Sequence, residues 1–363
     1  MKKKNILFIT NGLSYGGAEK MVVFIADSLN KRGHNVLIVN INGINDVSNY
    51  KREVPCGILV EDINANKRIQ QIFEIKRVAK KFSADVLIGF TSVPNILARI
   101  VGFLLNKPSI MSERGDPRRT INLKGLKNKF YFKIINSSSG GVFQTEGARD
   151  FFDEKLKKEG VIIPNPIEIN EEIPTKDYLL SSKSIVSIGR LDNLQKRYDV
   201  MLDSFELFLD RHPEYILKIY GRGSDENIIK NWVKEKNIED KVLFLGLTDT
   251  PMKKMIESDI FIITSDYEGI SNALLEAMAV GMPCVSTDHT PGGARLLIND
   301  HKNGLLAPIG DSKKIANALC EFVENPILAK KCGENAKNVV NRFSKEKIIN
   351  LWENYIVKIC KKK

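Results

Sequence analysis

Two glutamates eight positions apart, Glu268 and Glu276 in the segment SDYEGISNALLEAM (265–278), have the spacing in this chain best suited to chemistry. The preceding IFIITS is a short β-branched apolar run. The stretch from Ser271 onward is helical in pattern, and Gly269 breaks the chain between the two. Glu268 therefore belongs to a strand-to-helix loop and Glu276 lies just over one turn inside the helix, so both carboxylates can face one crevice. The backbone amides of Ser271, Asn272 and Ala273 point out of the helix start as an anion site. An anion held between two carboxylates that accept hydrogen bonds from hydroxyls describes a sugar nucleotide, with diphosphate on the helix end, sugar on one side and ribose on the other. An acidic loop before an ordinarily capped helix has the same pattern, so the segment alone leaves both readings open.

Two further strand ends carry charge or glycine. SIGRLDNLQKR places Gly189 at the end of a strand, Arg190 just beyond it, and Lys196 and Arg197 one loop later. A rigid guanidinium fork and a compact ammonium can straddle a diphosphate and stabilise a leaving group as negative charge develops on it; a solvated basic loop is the alternative. Near the start, NILFIT runs into NGLSYGGAEK, with Gly16 and Gly17 before a helix beginning near Ala18, where backbone can approach an anion closely. A tight strand-to-helix turn would use the same glycines. This is not a GxGxxG fingerprint, and Asn40 and Asn42 stand where a nicotinamide enzyme would have an acidic residue.

The elements that must position these residues are legible as alternation. NILFIT, HNVLIVNI, DVLIGF, PSIMSE, GGVFQT and VIIPNP are strand-like runs separated by amphipathic or charged segments. After a polar, proline-broken stretch the alternation restarts with SIVSIGR, YILKIYG, KVLFLG, IFIITS and PCVSTD. At 363 residues the chain exceeds one typical core. The expected architecture is α/β, with two facing Rossmann-like doubly wound domains, at 1–170 and 185–345, joined by a linker at 171–184. A helix at 346–363 would return to the first domain. In such sheets ligands bind beyond the carboxyl ends of the strands, which predicts an interdomain cleft.

Composition narrows the function class. No apolar run reaches the roughly 18 residues of a membrane span, and MKKKNILFIT turns polar too soon for a secretion signal, so a cytoplasmic location is expected. The five cysteines are scattered without CxxC spacing, and the four histidines show no ligand spacing; neither disulfides nor a bound metal is expected. The net charge of +11 is uneven: between Arg99 and Lys133 nine basic residues face only Glu113 and Asp116. Within it, Leu126, Phe130 and Ile134 recur at helical spacing beside Lys127, Lys129 and Lys133. That reads as a basic amphipathic helix, either on an anionic membrane or with one face buried in its own domain. Nucleic-acid binding suits the charge but not the motifs.

With SYGGAEK, SIGRLDNLQKR, YGRG, LFLG and EGISNALLEAMAVGMPCVSTD in view, the chain resembles the family 4 glycosyltransferases, retaining enzymes of the GT-B fold, over nearly its whole length. The resemblance implies that Arg190 and Lys196 bind the donor diphosphate, Glu268 orients the donor sugar and Glu276 accepts hydrogen bonds from the ribose. It implies that Gly16 and Gly17 approach the distal phosphate and acceptor. Main-chain groups of Gly269, Ile270, Ser271 and Asn272 would line phosphates and sugar, and the loops at Gly221 and Gly246 would border the base. The implied mechanism is a front-face substitution without a metal: the acceptor hydroxyl enters on the side the diphosphate leaves, and a phosphate oxygen takes its proton.

Two departures stand out. Many relatives carry a histidine in the first-domain loop facing the donor; here PSIMSE runs into Arg114 as SERGDP, which makes Glu113 and Arg114 candidates for the acceptor side. One residue more than is common separates Arg190 from Lys196. Acceptor pockets are expected from the loops 91–95 and 113–119. The expected reaction is transfer of a hexose or N-acetylhexosamine from a UDP-sugar to a lipid-linked, undecaprenyl-type saccharide in capsule, exopolysaccharide or O-antigen assembly, peripheral on the inner membrane face. A sugar-nucleotide epimerase of similar fold and a noncatalytic sugar-nucleotide-binding protein are the alternatives.

Overall fold

The structure is a computed structural model that describes residues 2–13, 17–42, 54–121, 124–167, 169, 175–178 and 181–362. It divides the chain into two compact units, 1–165 with 346–363, and 166–345. Of the segment 171–184 expected as a linker, residues 171–174 and 179–180 lie outside the described residues, as do Gly16 and Leu123.

The described strands of the first unit are β1 (Asn5–Thr10), β2 (Asn35–Asn40), β3 (Leu59–Asp62), β4 (Val86–Phe90), β5 (Ser109–Glu113), β6 (Gly140–Phe143) and β7 (Val161–Ile162). They form one parallel sheet in the order β3-β2-β1-β4-β5-β6-β7. Its central strands are buried on both faces, as continuous runs such as ILFI and VLI require of a sheet with helices on each side. The order reverses between β1 and β4, so loops diverge there at the carboxyl edge. One strand departs from the sequence reading: β3, with the sequence LVED, is exposed along its length; the helix after β1 starts at Gly17, close to the expected Ala18.

The terminal helix Lys345–Lys361 packs on this first sheet, as expected for a returning helix. Trp352 is fully buried with its ring 5.8 Å from Phe90 in a stacked pair. Glu353 accepts from Arg32 at 2.6 Å and meets the His34 ring at 3.1 Å. The Tyr355 hydroxyl donates to Glu159 O at 2.6 Å and accepts from Gly141 N at 2.9 Å. The same hydroxyl fills the space that a Cβ on Gly140 would need.

The second unit holds β8 (Ser184–Ile188), β9 (Ile216–Tyr220), β10 (Val242–Gly246), β11 (Ile260–Ile263), β12 (Cys284–Thr287) and β13 (Leu305–Ala307). Its parallel sheet has the order β10-β9-β8-β11-β12-β13, with the switch point between β8 and β11. Helices Tyr198–Leu209 and Ser312–Glu324 bury Phe205, Phe208, Leu319 and Phe322 against it. The three-residue β13 carries no strand signal in sequence, being a short run after Gly304.

Candidate active site

At the switch point of the second sheet, β8 leads into Gly189 and Arg190, and β11 leads into Thr264 and Ser265. The short helix Asn193–Lys196 delivers Lys196 to the same place. Thr264 Oγ1 donates to the carbonyls of Lys196 and Arg197 at 3.0 and 3.1 Å, tying the two loops together. Arg197 serves the same end. In a left-handed conformation (φ 52°), its guanidinium bonds both Asp199 and Asp266, so it braces the loops while Lys196 faces the crevice.

The Lys196 ammonium donates to Glu268 Oε1, which also accepts from Ser265 Oγ at 3.0 Å. Both charged side chains are largely shielded from solvent. Burial pushes the Glu268 carboxyl upward, but the Lys196 charge and the hydrogen bonds from Lys196 and Ser265 outweigh it and hold the group below its ordinary value, so it is ionised at neutral pH. Main-chain bonds fix its approach: Glu268 N donates to Thr290 O at 2.8 Å and Thr290 N to Asp266 O at 3.2 Å.

Beyond Glu268 the chain passes through Gly269 and buried Ile270 to Ser271, whose hydroxyl caps the helix Asn272–Ala279 by accepting from Leu274 N at 3.4 Å. Asn272 opens that helix and Glu276 is buried within it. A Cβ on Gly293 would overlap the Gly269 carbonyl, so only glycine lets the loop after β12 lie against this segment. Arg190 is mostly exposed, donating to Gln195 Oε1 at 3.1 Å, with Asp192 at 3.3 Å. Gln195 in turn donates to Tyr267 O at 3.1 Å.

The glycine turns at the ends of β8, β9 and β10 are joined in a row. Gly221 N donates to Gly246 O at 2.7 Å and Gly189 N to Tyr220 O at 3.0 Å. Gly221 has φ +146°, and a Cβ there would overlap the Gly189 carbonyl; Gly246 has φ +68°. Both therefore occupy backbone conformations that disfavour a side chain.

In the first unit, Gly17 opens the helix Gly17–Lys31. Glu113 ends β5, buried, and its carboxylate accepts from the amides of Arg114 and Gly115, each at 3.0 Å. Burial raises its pKa despite those bonds. Arg114 turns inward, donating to Asn165 Oδ1 and lying 5.8 Å over the Phe90 ring; burial lowers it to about 10. The structure thus gathers Arg190, Lys196, Gly221, Gly246, Glu268 to Asn272 and Glu276 along one sheet edge of the second unit, whereas within the first Glu113 turns to the amides of its own loop and Arg114 to Asn165, with the Arg114 Nε left without a partner.

Sequence reasoning assigned no role to Ser265, Gln195 or the Arg197–Asp266 brace; Ser265 adjoins Glu268 and could have been read from that adjacency. Among the described residues His212, Cys320 and Glu324 bring metal-ligand atom types within 4.8 Å of one another. They lie near the amino-terminal edge of the second sheet, and Arg211 already donates to Glu324.

A family model described as Glycosyl transferases group 1 matches residues 170–339, and one described as Glycosyltransferase Family 4 matches residues 15–171. An uncharacterized glycosyltransferase of Haemophilus influenzae is 26% identical over 364 residues, covering 98% of this chain and 100% of that protein. The Campylobacter jejuni N-acetylgalactosamine-N,N'-diacetylbacillosaminyl-diphospho-undecaprenol 4-alpha-N-acetylgalactosaminyltransferase is 28% identical over 290 residues, covering 75% of this chain and 76% of that one. Among solved structures, Anabaena HepE in complex with UDP and glucose has a TM-score of 0.81 at 18% identity, covering 98% of this chain and 100% of that one. This last likeness shows the fold.

Proposed function

The chain belongs to the family 4 glycosyltransferases, and on that premise we propose that it is a retaining enzyme moving a hexose or N-acetylhexosamine from a UDP-sugar to a lipid-linked saccharide in cell-surface polysaccharide synthesis. The observation that carries this reading is the shielded Lys196–Glu268–Ser265 cluster at the switch point, beside a capped helix start. An ammonium, an exposed guanidinium and a helix start suit a diphosphate; an ionised carboxylate suits sugar hydroxyls.

Arg190 and Lys196 hold the diphosphate and stabilise it as it leaves. Glu268 orients the sugar, Glu276 accepts from the ribose, and the turns at Gly221 and Gly246 border the base. The acceptor hydroxyl enters on the leaving-group face and passes its proton to a phosphate oxygen, a course that needs no protein nucleophile. The Campylobacter relative's name specifies a diphospho-undecaprenol acceptor, which supports a lipid-linked acceptor here.

A membrane-facing surface fits that acceptor. No described helix is long and apolar enough to cross a membrane. Leu126 and Phe130 of the helix Leu126–Asn136 are 87% and 61% exposed, and Phe103 of the neighbouring helix Ser92–Leu104 is 71% exposed. Arg99 joins the two helices, donating to Ser137 Oγ at 2.7 Å. Lys127, Lys129 and Lys133 lie among these apolar side chains, and each lysine near an anionic leaflet adds about 1 kcal/mol. The opposite face of the helix buries Ile135 and packs Phe132 on Phe151 and Phe152.

The testing experiment incubates the purified protein with UDP-, GDP- and ADP-sugars and a membrane lipid extract, following nucleotide release and product. UDP release from one donor with a lengthened acceptor, lost in Glu268→Ala and Lys196→Ala, is expected. An isomerised sugar nucleotide would select the epimerase, and absence of UDP binding would overturn the donor reading. Sedimentation with phosphatidylglycerol vesicles, reduced in Leu126→Ser/Phe130→Ser, is the expected result for the membrane surface.

A further inference from the structure

His289, immediately after β12, is fully shielded from solvent, and neither ring nitrogen completes a hydrogen bond with a protein group; the Thr290 backbone lies close without doing so. A buried imidazole with both nitrogens idle is an expensive arrangement, because each has given up water for nothing. Its surroundings indicate which group can use it.

The ring sits beneath the segment that carries the sugar-orienting carboxylate. A Cβ built on Gly293 would lie 3.0 Å from the ring Cε1 and would overlap the Gly269 carbonyl, so ring, Gly293 and the main chain after Glu268 are stacked without a gap. Tyr267 bridges to Thr290, and Glu268 N donates to Thr290 O, which fastens the residue next to His289 to Glu268's own backbone. The charged groups that act on the ring are Glu268, Lys196 and Asp288. Burial and the Lys196 cation keep the imidazole neutral, so it has one N–H to donate.

In this structure Lys196 and Glu268 answer one another. A diphosphate needs the same ammonium, and as it takes it the shielded carboxylate loses its main counter-charge. We propose that His289 is the positioning residue of Glu268: when a diphosphate draws Lys196 away, the His289 ring N–H takes over support of the carboxylate and holds it ionised toward the sugar. This rests on the donor reading above and deepens it. It makes the ion pair an exchange of partners, in which Lys196 passes from carboxylate to phosphate while Glu268 passes from ammonium to imidazole.

The test uses the full chain labelled with 15N-histidine, with the His289 ring signals assigned by their loss in His289→Leu. Lys196→Met, with no ligand added, is expected to move the His289 ring nitrogens toward hydrogen-bonded values. UDP added to the wild type is expected to move them the same way. Calorimetry supplies the second readout: His289→Leu keeps its affinity for UDP but loses roughly tenfold in affinity for the UDP-sugar that is turned over, and His289→Asn recovers part of that loss. An unchanged ring in Lys196→Met overturns the proposal whether or not UDP binds. A shifted ring in Lys196→Met with no UDP binding to the wild type leaves the pairing standing and sinks the donor reading instead. Equal losses for UDP and UDP-sugar in His289→Leu would mark a structural role and overturn the positioning one.

Discussion

Each unit carries a shielded glutamate near a cation, Glu113 at the end of β5 and Glu268 in the loop after β11, and the two pairs are wired in opposite ways. After β5, Glu113 turns to the amides of its own loop while Arg114 turns away to Asn165. After β11, Glu268 reaches across from β11 to Lys196, 72 residues earlier, and the two are joined directly. In the first unit burial dominates and the carboxyl is pushed up. In the second burial is again the largest single influence, but the facing ammonium and the Ser265 hydroxyl together outweigh it and the carboxyl is held down. A carboxylate satisfied by its own loop's amides is committed to the fold, whereas an ion pair whose members chiefly face each other can give both charges to a ligand.

The sharpest way to break this contrast is to remove the cation from each side. Lys196→Ala is expected to lower turnover by about 10²- to 10³-fold, the scale of a lost charge stabiliser at a leaving group. Arg114→Met is expected to leave UDP binding intact and to change stability by no more than about 1 kcal/mol, because burying that guanidinium is itself unfavourable. Steady-state kinetics, UDP calorimetry and urea unfolding of the two variants check this. A large loss of UDP binding in Arg114→Met would mean that the first unit also lends charge to the donor.

A second, smaller effect separates the glycine contacts. A Cβ at Gly221 meets the Gly189 carbonyl, and one at Gly140 meets the Tyr355 hydroxyl. Both Gly221→Ala and Gly140→Ala are expected to lose about 1–3 kcal/mol of stability by overpacking. Only Gly221→Ala is expected to weaken UDP binding, by roughly tenfold, because Gly189 in turn lies against Lys196. Comparable UDP affinities in the two variants would show that the strand-end row does not shape the donor site.

How much of this was legible depended on whether the signal was local. NILFIT and IFIITS announce buried parallel strands because both faces are covered, and the Glu268 to Glu276 spacing announces a loop and helix. LVED at 59–62 gives no such signal, since an exposed edge strand with two acids has no apolar pattern, and LLA at 305–307 is too short to have one. In the site, Arg190 and Lys196 were readable as charges after a strand. That Lys196 meets Glu268 directly was not, because the pairing depends on β8 lying beside β11, a fact of topology. Arg197 read only as a cation following Lys196, and nothing in the sequence showed that its left-handed backbone turns it toward Asp266. His289 could be read as a turn residue, but its complete burial follows from a neighbouring glycine fitting against Gly269, which no spacing rule encodes.

The smallest effect tests the contrast most directly, because it compares two Glu→Gln variants across pH. Glu268 has a folded pKa below the ordinary 4.5, so its ionised form stabilises the fold above that value, and the contribution fades as pH falls through the lowered folded value. Glu113 has a raised folded pKa, so the sign inverts. Its contribution is complete below 4.5 and is lost as pH rises through the folded value. Glu268→Gln is therefore expected to destabilise the protein at pH 7 on the order of 1 kcal/mol, with the difference shrinking in acid. Glu113→Gln keeps an oxygen for the two amides and cannot ionise, so it is expected to be neutral or stabilising relative to wild type, and increasingly so as pH rises. Urea unfolding at pH 7 and at acid pH reads both. Parallel pH dependence in the two variants would mean that the carboxylates share one electrostatic environment, and the division between charges committed to the fold and charges available to a ligand would fall with it.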